Sequence, residues 1–196
     1  FTADQKNSSY DIARKFLNKK FSGAVGLQIN EPTTVQSVFK SFDNKEKVLS
    51  QNNKIKILIA THEIYDATHA FGKNFFPSFK TWLNILGQLS EITDYDWYIK
   101  DHAIAKGMKM ETTQKLTENL TNSIIKKYKK IKLLNPNTSH HQIINEKIDY
   151  VLTVFGSIVY EYAYFDIPVI VASSNHYFKN FSFYIQPKDR QDYINI

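Results

Sequence analysis

Ser157 and Glu161 stand one helical turn apart at the start of a predicted helix. An apolar run ends at Gly156-Ser157, a helical pattern follows, and a second apolar run begins at Ile167, which predicts a strand, a tight turn, a helix and a strand. A serine at such a turn caps the helix, and the free N–H groups of the first turn suit a phosphate. Glu161 lies on the same face, where a carboxylate can accept hydrogen bonds from ribose hydroxyls. The alternative is that Ser157 is only an N-cap and Glu161 a solvated helix residue.

The elements that would position this pair alternate along the chain from Lys54 onward. Predicted strands lie at 55–60, 97–100, 131–134, 150–154 and 169–172. Predicted helices lie at 77–90, 112–129 and 139–146, with another after Ser157. Such alternation predicts an α/β fold, a Rossmann-like parallel sheet with helices on both faces.

Residues 1–53 are expected to form a helical extension and linker, and residues 54–196 the Rossmann-like domain. The extension contains an amphipathic helix at 8–20 and a short helix from Glu31 through Phe39. So short a segment cannot bury enough apolar surface alone, so we expect it to dock on the domain through Phe16 and Leu17.

Three polar loops are predicted at the carboxyl edge of the sheet, where ligands of parallel sheets bind. Their polar residues include His62, Asp66, His69, Lys100, His102 and Ser157. A lone histidine is more often a structural hydrogen-bonding residue, but the convergence of His62, His102 and Ser157 favours a ligand site. Lys100 either adds positive charge to this site or is simply solvated.

Two patterns that resemble metal sites are excluded, the first by its spacing and the second by its position. His62-Glu63 would need a second histidine at position 66 to form a zinc protease motif, and Asp66 stands there. Asp94-Tyr95-Asp96 precedes its strand, so it lies at the amino edge, away from the expected ligand. The sequence also contains no Gly-x-Gly-x-x-Gly and no Walker loop, so NAD and P-loop sites have no support.

Three segments carry a family resemblance: Lys54–Ala60 with Asp66-Ala-x-His69, Trp97-Tyr-Ile-Lys100-x-His102, and Asp149–Ile170 with Ser157-x-x-x-Glu161. In this order and spacing they resemble the carboxyl-terminal half of GT-B glycosyltransferases. The enzymes in question are those of capsule and surface-polysaccharide biosynthesis, a group similar to bacterial sialyl- and Kdo-transferases and to teichoic-acid glycerophosphotransferases. The resemblance covers about residues 54–190.

The resemblance implies a nucleotide-sugar donor, CMP- or UDP-linked, and a glycan or lipid-linked acceptor, with no metal and no other cofactor. The Lys-x-His loop and the serine turn hold the donor in that family, which implies this role for His102 and Ser157, with Glu161 on the ribose. The expected substrate-binding residues are His62, Asp66, His69, Lys100, His102, Ser157 and Glu161. No catalytic residue is assigned.

The family's base and acceptor site usually lie on an amino-terminal domain that this chain lacks, so we expect a fragment of a longer, metal-independent enzyme that is incomplete by itself. A nucleotide-sugar 2-epimerase, which shares the fold and the donor type, is one alternative. The other is a non-catalytic module that binds anionic lipid or a partner enzyme.

The sequence departs from the family pattern next to the predicted site. The usual Lys-Pro-His-Pro loop has Asp101 and Ala103 in place of its prolines, so we expect a less rigid loop. The glycine that commonly ends the serine helix is Asp166, which can adopt a left-handed conformation, though less readily than glycine.

Composition narrows the class of protein further. The chain of 196 residues has a formal net charge of +6 and no cysteine, which excludes disulfides and thiolate metal sites. Its basic residues are almost all lysines, whereas nucleic-acid readers lean on arginine, so no nucleic-acid partner is expected. We expect a cytoplasmic protein, with peripheral contact at the inner membrane face through lysine clusters such as Lys19-Lys20 as an alternative to a solvated face.

Overall fold

The computed structural model of the protein describes residues 3–23, 39–42, 46–61, 74–102, 111–174 and 180–196. The helices are α1 (Ala3–Phe21), α2 (Phe79–Ile92), α3 (Glu111–Lys127), α4 (His140–Asn145), α5 (Ile158–Ala163) and α6 (Arg190–Asn195). The strands are β1 (Lys56–Ala60), β2 (Asp96–Lys100), β3 (Ile131–Leu134), β4 (Tyr150–Thr153) and β5 (Val169–Val171). Each strand and helix predicted beyond residue 54 is confirmed, with its ends shifted by no more than a few residues.

The described strands form one parallel sheet in the order β3-β2-β1-β4-β5. At the centre, Ile57 of β1 lies opposite Trp97 of β2 on one side and Tyr150 of β4 on the other. The predicted α/β fold is therefore confirmed. The order of the strands reverses between β1 and β4, and ligands of such sheets bind beyond the carboxyl ends of the strands at this point.

Helices cover both faces of the sheet because successive strand residues point to opposite sides. Ile57 and Ile59 lie in one apolar core, with buried residues of α2, α3 and α6. Leu58 and Ala60 lie in a second core, with buried residues of α4 and α5. This arrangement leaves the carboxyl ends of β1, β2 and β4 at one edge of the sheet, where the site is predicted.

Helix α1 contacts the domain through its last turn. The Phe21 ring lies 4.8 Å from that of Phe39, 4.8 Å from that of Tyr164 and 4.9 Å from that of Phe165, measured between ring centroids. Phe16 is 41% exposed, so its part in the predicted docking is wrong, whereas Leu17 is half-buried. The aromatic groove between residue 39 and the end of α5 accepts the residue at the helix terminus instead. The helix predicted at 31–39 lies almost entirely outside the described residues.

The segment before β1 is held by the buried side chain of Glu146, the residue that caps the C-terminus of α4. Glu146 accepts hydrogen bonds from the backbone N–H groups of Val48 and Leu49, at 2.9 and 2.8 Å. It also accepts one from the Gln142 side chain at 3.0 Å. Because Leu49 is itself buried in the second core, this part of the expected linker packs on the domain.

Candidate functional site

Lys100 and Asp101 end β2 at the carboxyl edge of the sheet, and both are buried. The carboxylate of Asp101 accepts hydrogen bonds from the Thr61 hydroxyl after β1, at 2.9 Å, and from the Thr121 hydroxyl of α3, at 2.7 Å. Burial raises the pKa of Asp101, and the two hydroxyls partly offset that rise. Asp101 therefore joins the end of β2 to two neighbouring elements; Ala103 and the rest of the predicted less rigid loop lie outside the described residues.

The Lys100 side chain is held inside the protein. Lys100 is 4% exposed, and its ammonium donates a hydrogen bond of 2.8 Å to the Pro136 carbonyl. Burial lowers the pKa of Lys100 to about 8, although the charges of Asp101 and Glu161 raise it. The solvated alternative is wrong, and the ammonium adds a buried positive charge at this edge.

The turn between β4 and α5 contains Gly156 and Ser157, as predicted. Gly156 has φ of 115°, a conformation that favours glycine. Ser157 has φ of −63° and ψ of −20°, and its side chain makes no capping hydrogen bond to the described chain. The predicted side-chain cap is wrong because capping requires an extended backbone at this position. A phosphate at this turn stays a prediction.

Helix α5 ends at a left-handed Asp166, the position at which the family pattern has glycine. Asp166 has φ of 57°, in the left-handed region. Its N–H donates to the Ala163 carbonyl at 3.1 Å, and the N–H of Ile167 donates to the Tyr162 carbonyl at 3.1 Å. This pair of hydrogen bonds forms a Schellman motif, which fixes the end of the helix that carries Glu161.

Glu161 is buried, with 3% of its surface exposed, and it is paired with a lysine from α1. The Lys20 ammonium lies 2.5 Å from a carboxylate oxygen of Glu161. It also donates a hydrogen bond of 2.9 Å to the Tyr160 hydroxyl and lies 5.1 Å from the centroid of the Tyr160 ring. The alternative of a solvated glutamate is therefore wrong. The predicted ribose contact stays a prediction, but the carboxylate already has a partner.

The Lys20 ammonium keeps its proton in this environment. Burial by itself would lower the pKa of Lys20, but the charge of Glu161 and the hydrogen bonds to Glu161 and Tyr160 outweigh burial, and the pKa is raised. Lys20 is therefore a fixed positive charge beside α5.

A buried histidine, His140, lies near the charged residues. Its Nδ1 shares a hydrogen bond of 2.7 Å with the Tyr162 hydroxyl of α5. Burial lowers the pKa of His140 well below its usual range, and the nearby charges of Lys100, His102 and Lys20 lower it further. The imidazole is therefore neutral, and Lys20, Lys100 and His102 all lie near it.

We name the residues Lys20, Lys100, His102, His140 and Glu161 the carboxyl-edge cluster. Of the predicted site residues, the structure brings together Lys100, His102 and Glu161, and it places Ser157 at the same edge. The others, His62, Asp66 and His69, lie outside the described residues. Sequence reasoning named Lys20 only in a lysine cluster that could meet anionic groups and missed its pairing with Glu161, and it missed His140 and Tyr162.

The chemistry of the cluster suits an anion. Lys20 and Lys100 lie near the carboxylates of Glu161 and Asp101, and Lys40 is a third lysine close enough to lower the pKa of Lys100. Desolvated cations attract an anion more strongly than the same cations in water. His102 is exposed and so accessible to a ligand. Within the described residues, no group of three histidine, aspartate or glutamate side chains is placed to hold a metal ion.

No helix in the described part of the chain combines the length and apolar character needed to cross a bilayer. Comparison with known proteins adds no assignment: no family model matches the chain, and no curated protein matches it either.

Proposed function

We propose that this chain is the donor-binding domain of a glycosyltransferase. It binds a nucleotide-activated sugar, CMP- or UDP-linked, whose sugar or related group is transferred to a surface polysaccharide. The observation that carries the proposal is the position of the carboxyl-edge cluster. Its buried lysine ends β2, its exposed histidine follows β2, and Glu161 lies in the helix after β4. Strands β2 and β4 lie on either side of β1, next to the point where the strand order reverses.

The proposed mechanism is electrostatic. As the bond between sugar and phosphate breaks, negative charge develops on the leaving phosphate. His102 donates a hydrogen bond to that phosphate, and the buried charge of Lys100 lowers the energy of the developing anion. Neither role forms a covalent intermediate, and the base that activates the acceptor is assigned to a further domain.

Calorimetric titration of the protein with CMP and UDP tests this function. The His102→Ala variant should lose roughly tenfold in affinity, because one hydrogen bond to a charged phosphate disappears. Asp94→Asn, at the opposite edge of the sheet, is the matched control and should bind as the wild type does. Absence of nucleotide binding by the wild type would contradict the proposal.

Two further measurements separate the alternatives. Binding to anionic vesicles alone, with steep salt dependence, would indicate the lipid-binding module instead. Product analysis with a UDP-sugar tests whether the protein releases an epimerised sugar. The transferase proposal is contradicted if the released sugar is the 2-epimer.

A further inference from the structure

One of the N–H donors of Lys20 has no acceptor among the described residues. An ammonium has three N–H donors. Glu161 and the Tyr160 hydroxyl account for two of them, and no third hydrogen-bond acceptor for Lys20 occurs among the described residues. The side chain keeps 16% of its surface exposed, so a ligand can reach the ammonium from outside.

Ribose hydroxyls are poor competitors for the carboxylate of Glu161. A diol that displaced Lys20 would leave an ammonium without its counter-ion in a largely buried position. Breaking a buried ion pair costs more than hydrogen bonds from neutral hydroxyls return. Glu161 should therefore keep Lys20 as its partner when a ligand is bound.

The end of α1 is held firmly enough to present this charge. Phe21 follows Lys20 directly and packs against the rings of Phe39, Tyr164 and Phe165. The Phe21 carbonyl also lies 2.7 Å from Nε2 of His141. These contacts fix the backbone on one side of Lys20, and the ion pair with Glu161 fixes its ammonium.

We propose that Lys20 binds a phosphate group of the ligand and that Glu161 positions Lys20 for this contact. The last turn of α1 is then part of the binding site, and Glu161 is a positioning residue that does not touch ribose. The identity of the ligand as a nucleotide rests on the proposed function, but the phosphate contact itself does not.

Pyrophosphate is the decisive probe, because it has phosphate groups and no ribose. Lys20→Met should bind pyrophosphate roughly tenfold to a hundredfold more weakly than the wild type, since a hydrogen bond between two charged groups is lost. Lys19→Met removes the same charge from the adjacent, exposed position of α1 and should change the affinity by less than about twofold, as expected for a screened surface charge. Equal effects of the two substitutions, or none from Lys20→Met, would overturn the proposal.

The role of Glu161 is tested by a ratio of affinities. Glu161→Gln changes the charge of the site for every anionic ligand, and this effect cancels in the ratio of UDP affinity to pyrophosphate affinity. Our proposal predicts that Glu161→Gln leaves this ratio unchanged. If Glu161 contacted the ribose, the ratio would fall by roughly tenfold. The same measurement with CMP should give the same answer.

The outcomes separate this inference from the proposed function. If the wild type binds pyrophosphate but neither nucleotide, the donor-binding function fails, and the comparison of Lys20→Met with Lys19→Met still decides the phosphate contact. If nucleotides bind and Lys20→Met has no effect, the function stands and the inference fails. If the wild type binds none of the three probes, both fail. Lys20→Gln replaces Lys20→Met if the latter does not fold, and failure of both to fold would make Lys20 structural and overturn the proposal.

Discussion

The two edges of the sheet hold their charged side chains in different ways. At the amino edge, Lys54 pairs with Asp94 while their side chains stay 44% and 85% exposed. Asp96 accepts a hydrogen bond from the Asn52 side chain, also at the surface. At the carboxyl edge, Lys100, Asp101 and Glu161 are all buried. The amino edge buries charged residues too, because Lys56 and Glu146 are buried there and bond to backbone groups. At the carboxyl edge, burial shifts the pKa of the neighbouring residues Lys100 and Asp101, and Glu161 is buried in an ion pair with Lys20.

This difference indicates which edge serves a ligand. Burying a charged side chain costs free energy, and replacing a buried ion pair with apolar residues of similar volume often leaves the protein as stable or more stable. A fold that needed only to close the ends of its strands could do so with exposed pairs such as Lys54 with Asp94. Buried, perturbed groups gathered at one edge are typical of a binding or catalytic site.

Replacing Lys100 should give the largest change in the pH dependence of the free energy of unfolding. Because the pKa of Lys100 falls from 10.5 to about 8 on folding, the unfolded chain binds this proton more tightly, and stability rises with pH across that window. At about 1.4 kcal/mol per pKa unit, the wild type should gain about 3 kcal/mol across the window. Lys100→Met lacks this gain because its side chain does not titrate.

Urea denaturation of the wild type and Lys100→Met at several pH values measures this difference. Lys54→Met, which removes an exposed lysine from the amino edge, is the control and should keep the wild-type pH dependence. If Lys100→Met also keeps the wild-type pH dependence, the ammonium of Lys100 is not held out of water as the comparison of the two edges assumes.

Thr121→Val should give a smaller effect that depends on pH in another range. Burial raises the pKa of Asp101 above its unfolded value, so Asp101 favours the folded state most when protonated, and this contribution is lost as the pH rises. The Thr121 hydroxyl limits that loss by donating to the carboxylate. Removing it should destabilise the protein by about 2 kcal/mol near neutral pH, because the bond is to a charged group. In acid, where Asp101 is protonated, the difference should shrink.

Ser90→Ala is the matched control for Thr121→Val. Ser90 is buried near the amino edge and donates a hydrogen bond of 2.7 Å to the Gly87 carbonyl, with no charge involved. Its loss should cost about 1 kcal/mol at every pH. A Thr121→Val difference that is also independent of pH would show that Asp101 does not ionise in the folded protein over the range measured.

The sequence was sufficient to predict the sheet and the edge at which Lys100, His102 and Ser157 lie. Alternating apolar runs and helical patterns located the strands, and the rule for parallel sheets placed Lys100, His102 and Ser157 at one edge. Asp166 stands where the family pattern has glycine, and its φ of 57° shows that it adopts the left-handed conformation that the sequence left open. These features depend on local pattern, which a sequence displays directly.

The partners of the buried charges could not be predicted in the same way. Lys20 and Tyr160 are 140 positions apart, and their contact depends on how the end of α1 docks. The absence of a side-chain cap at Ser157 depends on backbone angles that its residue type does not determine. A His140-His141 pair at the start of a helix was a visible signal, but nothing local indicated that Tyr162 would meet it.

Asp94→Asn should have the smallest effect. Asp94 forms its ion pair with Lys54 in full contact with solvent, where screening by water leaves little net stabilisation. We expect no measurable change in the free energy of unfolding or in nucleotide affinity. Asp94 also belongs to the Asp94-Tyr95-Asp96 pattern, which resembles a metal-binding motif of some glycosyltransferases, so UDP affinity should be measured with and without Mn²⁺. An Mn²⁺-dependent affinity that Asp94→Asn abolishes would place the ligand at the amino edge, and the buried charges at the carboxyl edge would then need a different explanation.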